Sequence, residues 1–251
     1  MKLIEIWRYP VKSMRGEQLD EAMVGPAGVA GDRHWAVVDA ETGVSLSAKR
    51  YGALLHCRAR TGADGVMIGL PDGRELPAGS DEVASGLSDL LGRRVVTRSA
   101  GAAGTIRHEF PTAVTEGEGD PFLWEPGTEA FFDSAPLHLL TTATLAELRR
   151  LLPDSKIDQT RFRPNFVVES GGIGFIENEW VNRTVTLGAL ACLVTDPTKR
   201  CVMVTRDQGD LPRDPEVVRR IYKANDGNAG VAMRALDSGH LQCGAEVRVD
   251  E

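Results

Sequence analysis

The sequence predicts an α+β fold that is mostly β. Three observations carry that reading. Short apolar runs bounded by turn residues fill the first half, only a few segments have helical periodicity with caps, and 27 glycines and 13 prolines punctuate the chain throughout. A doubly wound parallel sheet would alternate strands with crossover helices, and that alternation is missing. No internal repeat or low-complexity tract is present.

The elements follow in order. Residues 3–7 read as a strand stopped at Tyr9-Pro10. Residues 34–39 and 44–47 flank Ala40-Glu41-Thr42-Gly43, a hairpin turn, and a strand over residues 54–60 comes next. Residues 66–70 and 74–76 flank Pro71-Asp72-Gly73, a second hairpin. The spacing of Val83, Leu87, Leu90 and Leu91 predicts a helix over 81–91 closed by Gly92. Residues 95–98 form another strand.

From Gly101 to about Pro126 the pattern dissolves into Gly, Pro, Glu and Thr, marking a domain boundary or a long surface excursion. Between Arg107 and Arg149 there is no Lys or Arg against eight Asp or Glu. A solvated loop explains that run; a docking face for a basic partner, spanning residues 109–147, is the sharper alternative.

In the second half Thr144-x-x-Glu147 reads as a capping box. It opens a helix through Leu145, Leu148, Leu151 and Leu152, closed by Pro153. Asp214-Pro215-Glu216 is a stronger start, with an N-cap aspartate, proline at the first helical position and a first-turn carboxylate. Strands are expected over 166–169, 185–187, 190–195, 202–205, 231–235 and 247–249.

Composition excludes several functions. A net charge of −7 argues against general affinity for nucleic acid, though a few converging cations can still make a small anion site. No apolar run approaches the roughly 18 residues of a membrane span. The N-terminus opens on a strand pattern without signal-peptide features, so a cytoplasmic protein is expected. Cys57, Cys192, Cys201 and Cys243 form no CxxC pair and no zinc spacing. Phosphate-loop, GxGxxG, HExxH and GxSxG motifs are absent, and Gly171-Gly172-Ile173-Gly174 reads as a turn. The five histidines are dispersed, with His138 placed in an apolar strand near the core.

Four segments, taken in order, resemble the MOSC family (the molybdenum-cofactor sulfurase C-terminal domain), which includes the mitochondrial amidoxime-reducing component and bacterial relatives. They are Tyr9-Pro10-Val11-Lys12-Ser13; Gly31-Asp32-Arg33-x-Trp35; Arg161-Phe162-Arg163-Pro164-Asn165 with Phe175-x-Glu177-x-x-Trp180; and Lys199-Arg200-Cys201-Val202-Met203-Val204-Thr205, followed by Asp214-Pro215. The resemblance implies an N-terminal β-barrel-like domain over residues 1–118, packed on a MOSC β-barrel domain over 119–251 with a few short helices.

It also implies a molybdenum cofactor, Mo-molybdopterin. Such a group needs cations for its phosphate, polar groups for its pterin and a soft thiolate for its metal. The resemblance carries cofactor-binding roles onto Lys12, Ser13, Arg33, Ser134, Arg163, Asn165, Lys199 and Arg200. It places Cys201 on the metal, where the preceding Lys199-Arg200 favours thiolate; otherwise Cys201 is a small buried residue opening a strand. Asp207 is assigned to proton delivery, with a loop-capping turn as the plainer account. The implied activity is reduction of small N-hydroxylated compounds. The chain has no flavin or iron–sulfur fingerprint, so its electrons would come from a separate ferredoxin, flavoprotein or haem protein. The alternative is a cofactor carrier or a sulfur-transfer module with a persulfide on Cys201. Two departures stand out: Gly230-Val231-Ala232 lacks the aromatic residue of many relatives, and Gly244-Ala245-Glu246 replaces their Gly-Asp turn.

Overall fold

The computed structural model describes residues 1–101, 107–111, 121–124 and 130–250. They form an α+β fold, mostly β, with three α-helices and four sheets. No helix among these residues is long and apolar enough to cross a membrane.

The largest sheet has eight strands, ordered Val247–Val249, Thr184–Leu187, Leu190–Lys199, Asn228–Ala235, Leu137–Thr141, Phe166–Glu169, Lys2–Arg8 and Glu17–Leu19. The first strand of the chain is thus built into the sheet of the second half, antiparallel to Phe166–Glu169 with Ile6 opposite Phe166. Glu21–Gly25 likewise pairs with Gly239–Gln242. Leu3, Ile6, Val24, Phe166, Val231 and Leu241 share one buried cluster. Burial of each such side chain is worth about 1.5–3 kcal/mol, which fixes the N-terminal strand in place.

A five-stranded sheet (Val95–Ser99, Trp35–Asp39, Val44–Ser45, Arg107–Pro111, Pro121–Trp124) and a three-stranded one (Arg58–Gly62, Gly65–Gly69, Glu75–Pro77) make up the other body of strands. Between them and the helix over residues 81–91 lies a second core that includes Val11, Val37, Leu54, Ile68 and Leu87. Helix α1 (Asp81–Leu91) starts where Ser80 Oγ accepts from Val83 N and stops at Gly92, whose φ of +63° suits a residue without Cβ. Helices α2 (Thr142–Leu151) and α3 (Pro215–Asn225) cover a third core containing Leu140, Leu148, Val167 and Ile221. Asp214 caps α3, accepting from Glu216 N at 3.0 Å.

Four expectations need correction. The segment 54–60 is a 3₁₀ turn over Gly52–His56 before the strand Arg58–Gly62 begins. Helix α2 starts before the expected capping box, because Thr141 caps it by accepting from Thr144 N, while the Thr144 hydroxyl donates to Glu177. Residues 202–205 form a 3₁₀ turn rather than a strand, with Thr205 Oγ1 donating to Val202 O at 2.7 Å. In the segment expected to lack pattern, Arg107–Pro111 pairs antiparallel with Pro121–Trp124. Five of the eight acidic residues in the run 109–147, namely Glu116, Glu118, Asp120, Glu125 and Glu129, lie outside the described residues, as does the boundary expected at 118.

Candidate functional site

The site grows from one buried carboxylate. Asp32, 3% exposed, accepts from Tyr9 N at 2.7 Å and from Asn165 Nδ2 at 3.0 Å, and pairs with Arg33. Asn165 also donates to Trp7 O at 3.2 Å and accepts from His138 N at 3.1 Å. Asn165 therefore clamps the first strand to the centre of the large sheet. Two guanidinium groups lie over the Tyr9 ring, Arg163 at 4.3 Å and Arg33 at 4.8 Å. Burial raises the Tyr9 pKa despite these cations, so the phenol stays neutral and donates to Pro164 O at 3.2 Å.

Ser13, Arg33 and Arg163 all have left-handed backbone, with φ of +68°, +49° and +53°. They are three of the five non-glycine residues in that region among the described residues. Each such conformation costs on the order of 1–3 kcal/mol and persists only where the surroundings impose it. All three were singled out from sequence as cofactor contacts, and the strain falls on them.

Lys12 is 5% exposed; its Nζ pairs with Asp133 and donates to Phe131 O. Lys49 Nζ reaches the other Asp133 oxygen at 2.9 Å. Ser13 Oγ accepts from Ala48 N at 3.0 Å, which ties the Lys12 turn to the Lys49 turn. Burial lowers the Lys12 pKa, with Asp133 opposing. Desolvation tends to raise the Asp133 pKa, yet the ammonium groups of Lys12 and Lys49 hold it well below the carboxylate range. Ser134, the next residue, is exposed.

Arg200 is 8% exposed and fully engaged: Nε donates to Ala229 O at 2.7 Å, Nη1 to Phe162 O at 3.0 Å, and Nη2 lies against His138 Nε2. Burial pushes its pKa down to about 10. Burial and the positive field of Arg200 and Arg33 keep His138 neutral, with a pKa well below its ordinary value. Behind them sits fully buried Glu177, which accepts from Thr141 and Thr144 hydroxyls at 2.7 Å and from Gly230 N at 3.1 Å. Burial raises its pKa. Gly230 is required here: its φ is +78°, and a Cβ would meet His138 Nε2 and lie 2.6 Å from Leu139 O.

Cys201 follows Arg200 as a partly exposed free thiol and leads the 3₁₀ turn Val202–Thr205. That turn is pinned from below by Arg161, 1% exposed, whose guanidinium donates to Val204 O, Arg206 O and Pro212 O at 2.8–3.3 Å. Arg206 Nη2 donates to Lys49 O at 2.8 Å, joining the Cys201 loop to the other body of strands. Asp207 makes a second such link, a 2.8 Å contact with His56 Nε2 at the surface. Lys199 is exposed and lies over the Tyr222 ring at 5.4 Å, apart from the buried network. Cys57 and Cys192 are buried with thiol pKa values pushed up to about 12 by burial, and Cys243 is partly buried.

The structure thus gathers Lys12, Ser13, Arg33, Arg163, Asn165 and Arg200 into one connected network that reaches Cys201 along the backbone. Sequence reasoning missed Lys49, Asp133 and Glu177 as members and gave His138 no part. The apolar run around His138 was the available signal. Lys49 and Asp133 gave none, since only tertiary folding brings them beside Lys12.

Two family models match the chain in order. The MOSC N-terminal beta barrel domain family matches residues 1–94, and the MOSC domain family matches residues 126–248. Molybdenum cofactor sulfurase of Danio rerio is 25% identical over 264 residues, covering 90% of this chain and 30% of its own. The Homo sapiens molybdenum cofactor sulfurase is 24% identical over 271 residues, covering 91% of this chain and 29% of its own. The chain therefore spans under a third of the length of these curated relatives. The YuaD protein of Bacillus subtilis has the same fold, with a TM-score of 0.52 at 12% identity over 99% of this chain and 94% of that one. With the N-terminal barrel and the MOSC domain matched in order along it, the chain belongs to the MOSC family.

Proposed function

We propose that this chain holds the molybdenum cofactor in the cationic network and reduces N-hydroxylated compounds with electrons from a separate donor protein. The observation that carries the proposal is charge. Lys12, Arg33, Lys49, Arg163 and Arg200 converge, while the carboxyl groups among them are Asp32, Asp133 and Glu177, whose pKa is raised. This leaves a positive excess inside a chain of net charge −7, and the terminal phosphate of a pyranopterin is the anion that offsets it. Among the described residues no three His, Cys, Asp or Glu side chains form a metal cluster. A metal at Cys201 would thus take one protein thiolate and its other ligands from the cofactor.

Bound there, the cofactor supplies two-electron redox chemistry. The protein's part is positioning. Lys12 and Arg33 hold the phosphate end, Arg163 presents a polar edge to the pterin, Asn165 positions Arg33 from behind through Oδ1 and the shared Asp32, and the Arg161-pinned turn fixes the Cys201 sulfur. Neutral His138 takes the Arg200 guanidinium and keeps it directed behind that sulfur. Asp207, whose carboxylate meets His56 Nε2 at 2.8 Å at the open surface, is assigned to proton delivery to the reacting N–OH. Ser134, exposed beside Asp133, and Lys199, at the surface, serve as outer contacts.

A cofactor carrier or sulfur-transfer module, with a persulfide on Cys201 in the latter case, is supported as the second reading by the sulfurase relatives, which match nine-tenths of this chain. One experiment separates the two. Protein purified from a cofactor-competent host is given an amidoxime and a chemical reductant. The proposal expects the amidine as product and its loss in Cys201→Ser. Cofactor loading and release without amidoxime consumption would establish the carrier reading instead.

A further inference from the structure

Lys199 takes no part in the buried network, yet its place beside Cys201 is a defined one. It is exposed, makes no ion pair among the described residues, and holds its Nζ 5.4 Å from the centre of the Tyr222 ring. The negative face of an aromatic ring attracts an ammonium, which keeps this long side chain in one region.

The ring itself is fixed. Tyr222 lies half-buried on α3, against the third core. Gly227, with a φ of +81°, leaves the space that the ring fills; a Cβ there would lie 2.7–2.9 Å from three ring carbons. The Gly227 carbonyl in turn accepts from Arg200 N at 2.8 Å, one residue ahead of Cys201. Tyr222 is thus packed onto the glycine that holds the backbone entering Cys201. Burial and the charge of the Cys201 sulfur raise the Tyr222 pKa, in keeping with that closeness. Asp207, the carboxylate beyond the Cys201 turn, meets His56 at 2.8 Å and does not pair with Lys199. A compound reaching the partly exposed Cys201 thiol therefore passes an unpaired ammonium.

We infer that Lys199 selects N-hydroxylated substrates that carry a carboxylate, with Tyr222 as the positioning residue for its ammonium. The inference rests on the proposed reduction beside Cys201 and adds the class of compound reduced there. A substrate with a cationic group in place of the carboxylate is repelled by the same ammonium.

Three amidoximes test it: benzamidoxime, its para-carboxy derivative and its para-aminomethyl derivative, each given with a chemical reductant to the cofactor-loaded full chain. The kcat/KM values are expected to rank the carboxylate first and the ammonium last. The carboxylate should exceed the neutral parent by about fivefold, the scale of one exposed ion pair. Lys199→Gln is expected to bring that ratio to about one, and Lys199→Glu to invert the ranking. Tyr222→Phe, which keeps the ring, should keep the ratio, whereas Tyr222→Leu should lower it. Dissociation constants of the same compounds, by ligand-observed NMR, give the ranking even without turnover. No turnover with the ranking intact in binding supports the selection and overturns the proposed reduction. Equal values for the three compounds, or a ranking unchanged in Lys199→Glu, overturns the inference; turnover would then leave the reduction standing. A ratio unchanged in Tyr222→Leu overturns the part given to Tyr222.

Discussion

Asn165 Nδ2 donates to Asp32 Oδ2 across 3.0 Å, a bond between residues 133 positions apart. It joins the turn that carries Arg33 to the turn that carries Arg163, and both arginines lie over Tyr9. The geometry of the candidate site depends on this one buried polar contact.

Asp32→Ala is therefore expected to be severely destabilising. It leaves the Arg33 guanidinium, the Asn165 amide and Tyr9 N without their shared acceptor. Breaking a buried pair in this way costs about 3–5 kcal/mol, a fall of roughly 6–20 °C in melting temperature at this chain length. Calorimetric melting checks it; a fall within error would show that water replaces the carboxylate without penalty.

His138 makes stability pH-dependent with a definite sign. Its pKa in the fold is depressed, so below the unfolded value of about 6.5 the unfolded chain binds a proton that the native chain does not. The contribution is complete above that pH and is lost as pH falls below it, at up to about 1.4 kcal/mol per unit. Glu177, with its raised pKa, acts in the opposite sense as pH rises above about 4.5. The difference between wild type and His138→Gln isolates the histidine: urea unfolding between pH 7 and 5 should show a shallower loss in the variant. Parallel curves would contradict a neutral His138.

Gly230→Ala is expected to cost about 2–4 kcal/mol, because it combines a left-handed φ of +78° with a Cβ driven into the His138 ring and the Leu139 carbonyl. Ala232 sits opposite His138 across the two strands and is kept small by the same crowding, while Val231 lies opposite Leu139 in the core of the large sheet. Unfolding by urea gives the number, and a neutral result would mean that the Arg200–His138 contact is loose.

Ser13→Gly separates stability from binding. Glycine relieves the cost of a φ of +68°, and the loss of the bond from Ala48 N works against that relief. The two effects are each about 1 kcal/mol, so the melting temperature should move by no more than about 2–4 °C. Retention of molybdenum through gel filtration should nonetheless fall. Unchanged retention would remove Ser13 from the site.

Much of this was legible in the sequence where the cause is local. Gly92 and Asp214-Pro215 end and begin helices through their own backbone chemistry, and the expected bounds 81–91 agree with α1. Ser13, Arg33 and Arg163, proposed as site residues through the family resemblance, share left-handed backbone in the buried network. What failed was set by tertiary partners. Val202-Met203-Val204-Thr205 has strand-like composition, but Arg161, buried from another segment, captures the carbonyls around it and winds it into a turn. Lys49 and Asp133 belong to the site only because hairpin and loop bring them to Lys12. Thr144 was read as a cap because its spacing to Glu147 fits; its hydroxyl is instead taken by Glu177, on the far side of the strand Phe166–Glu169 in sequence.

The central claim is that cations drawn from both ends of the sequence hold a pyranopterin whose metal rests on the Cys201 sulfur. Molybdenum and pterin content, with X-ray absorption at the molybdenum edge, measured side by side on wild type and Cys201→Ser from a cofactor-competent host, tests it most directly. Near-stoichiometric metal and pterin in the wild type, with a protein thiolate scatterer that disappears in the folded variant, is the predicted result. Wild-type protein that carries neither, or a metal environment identical in the two proteins, would contradict it.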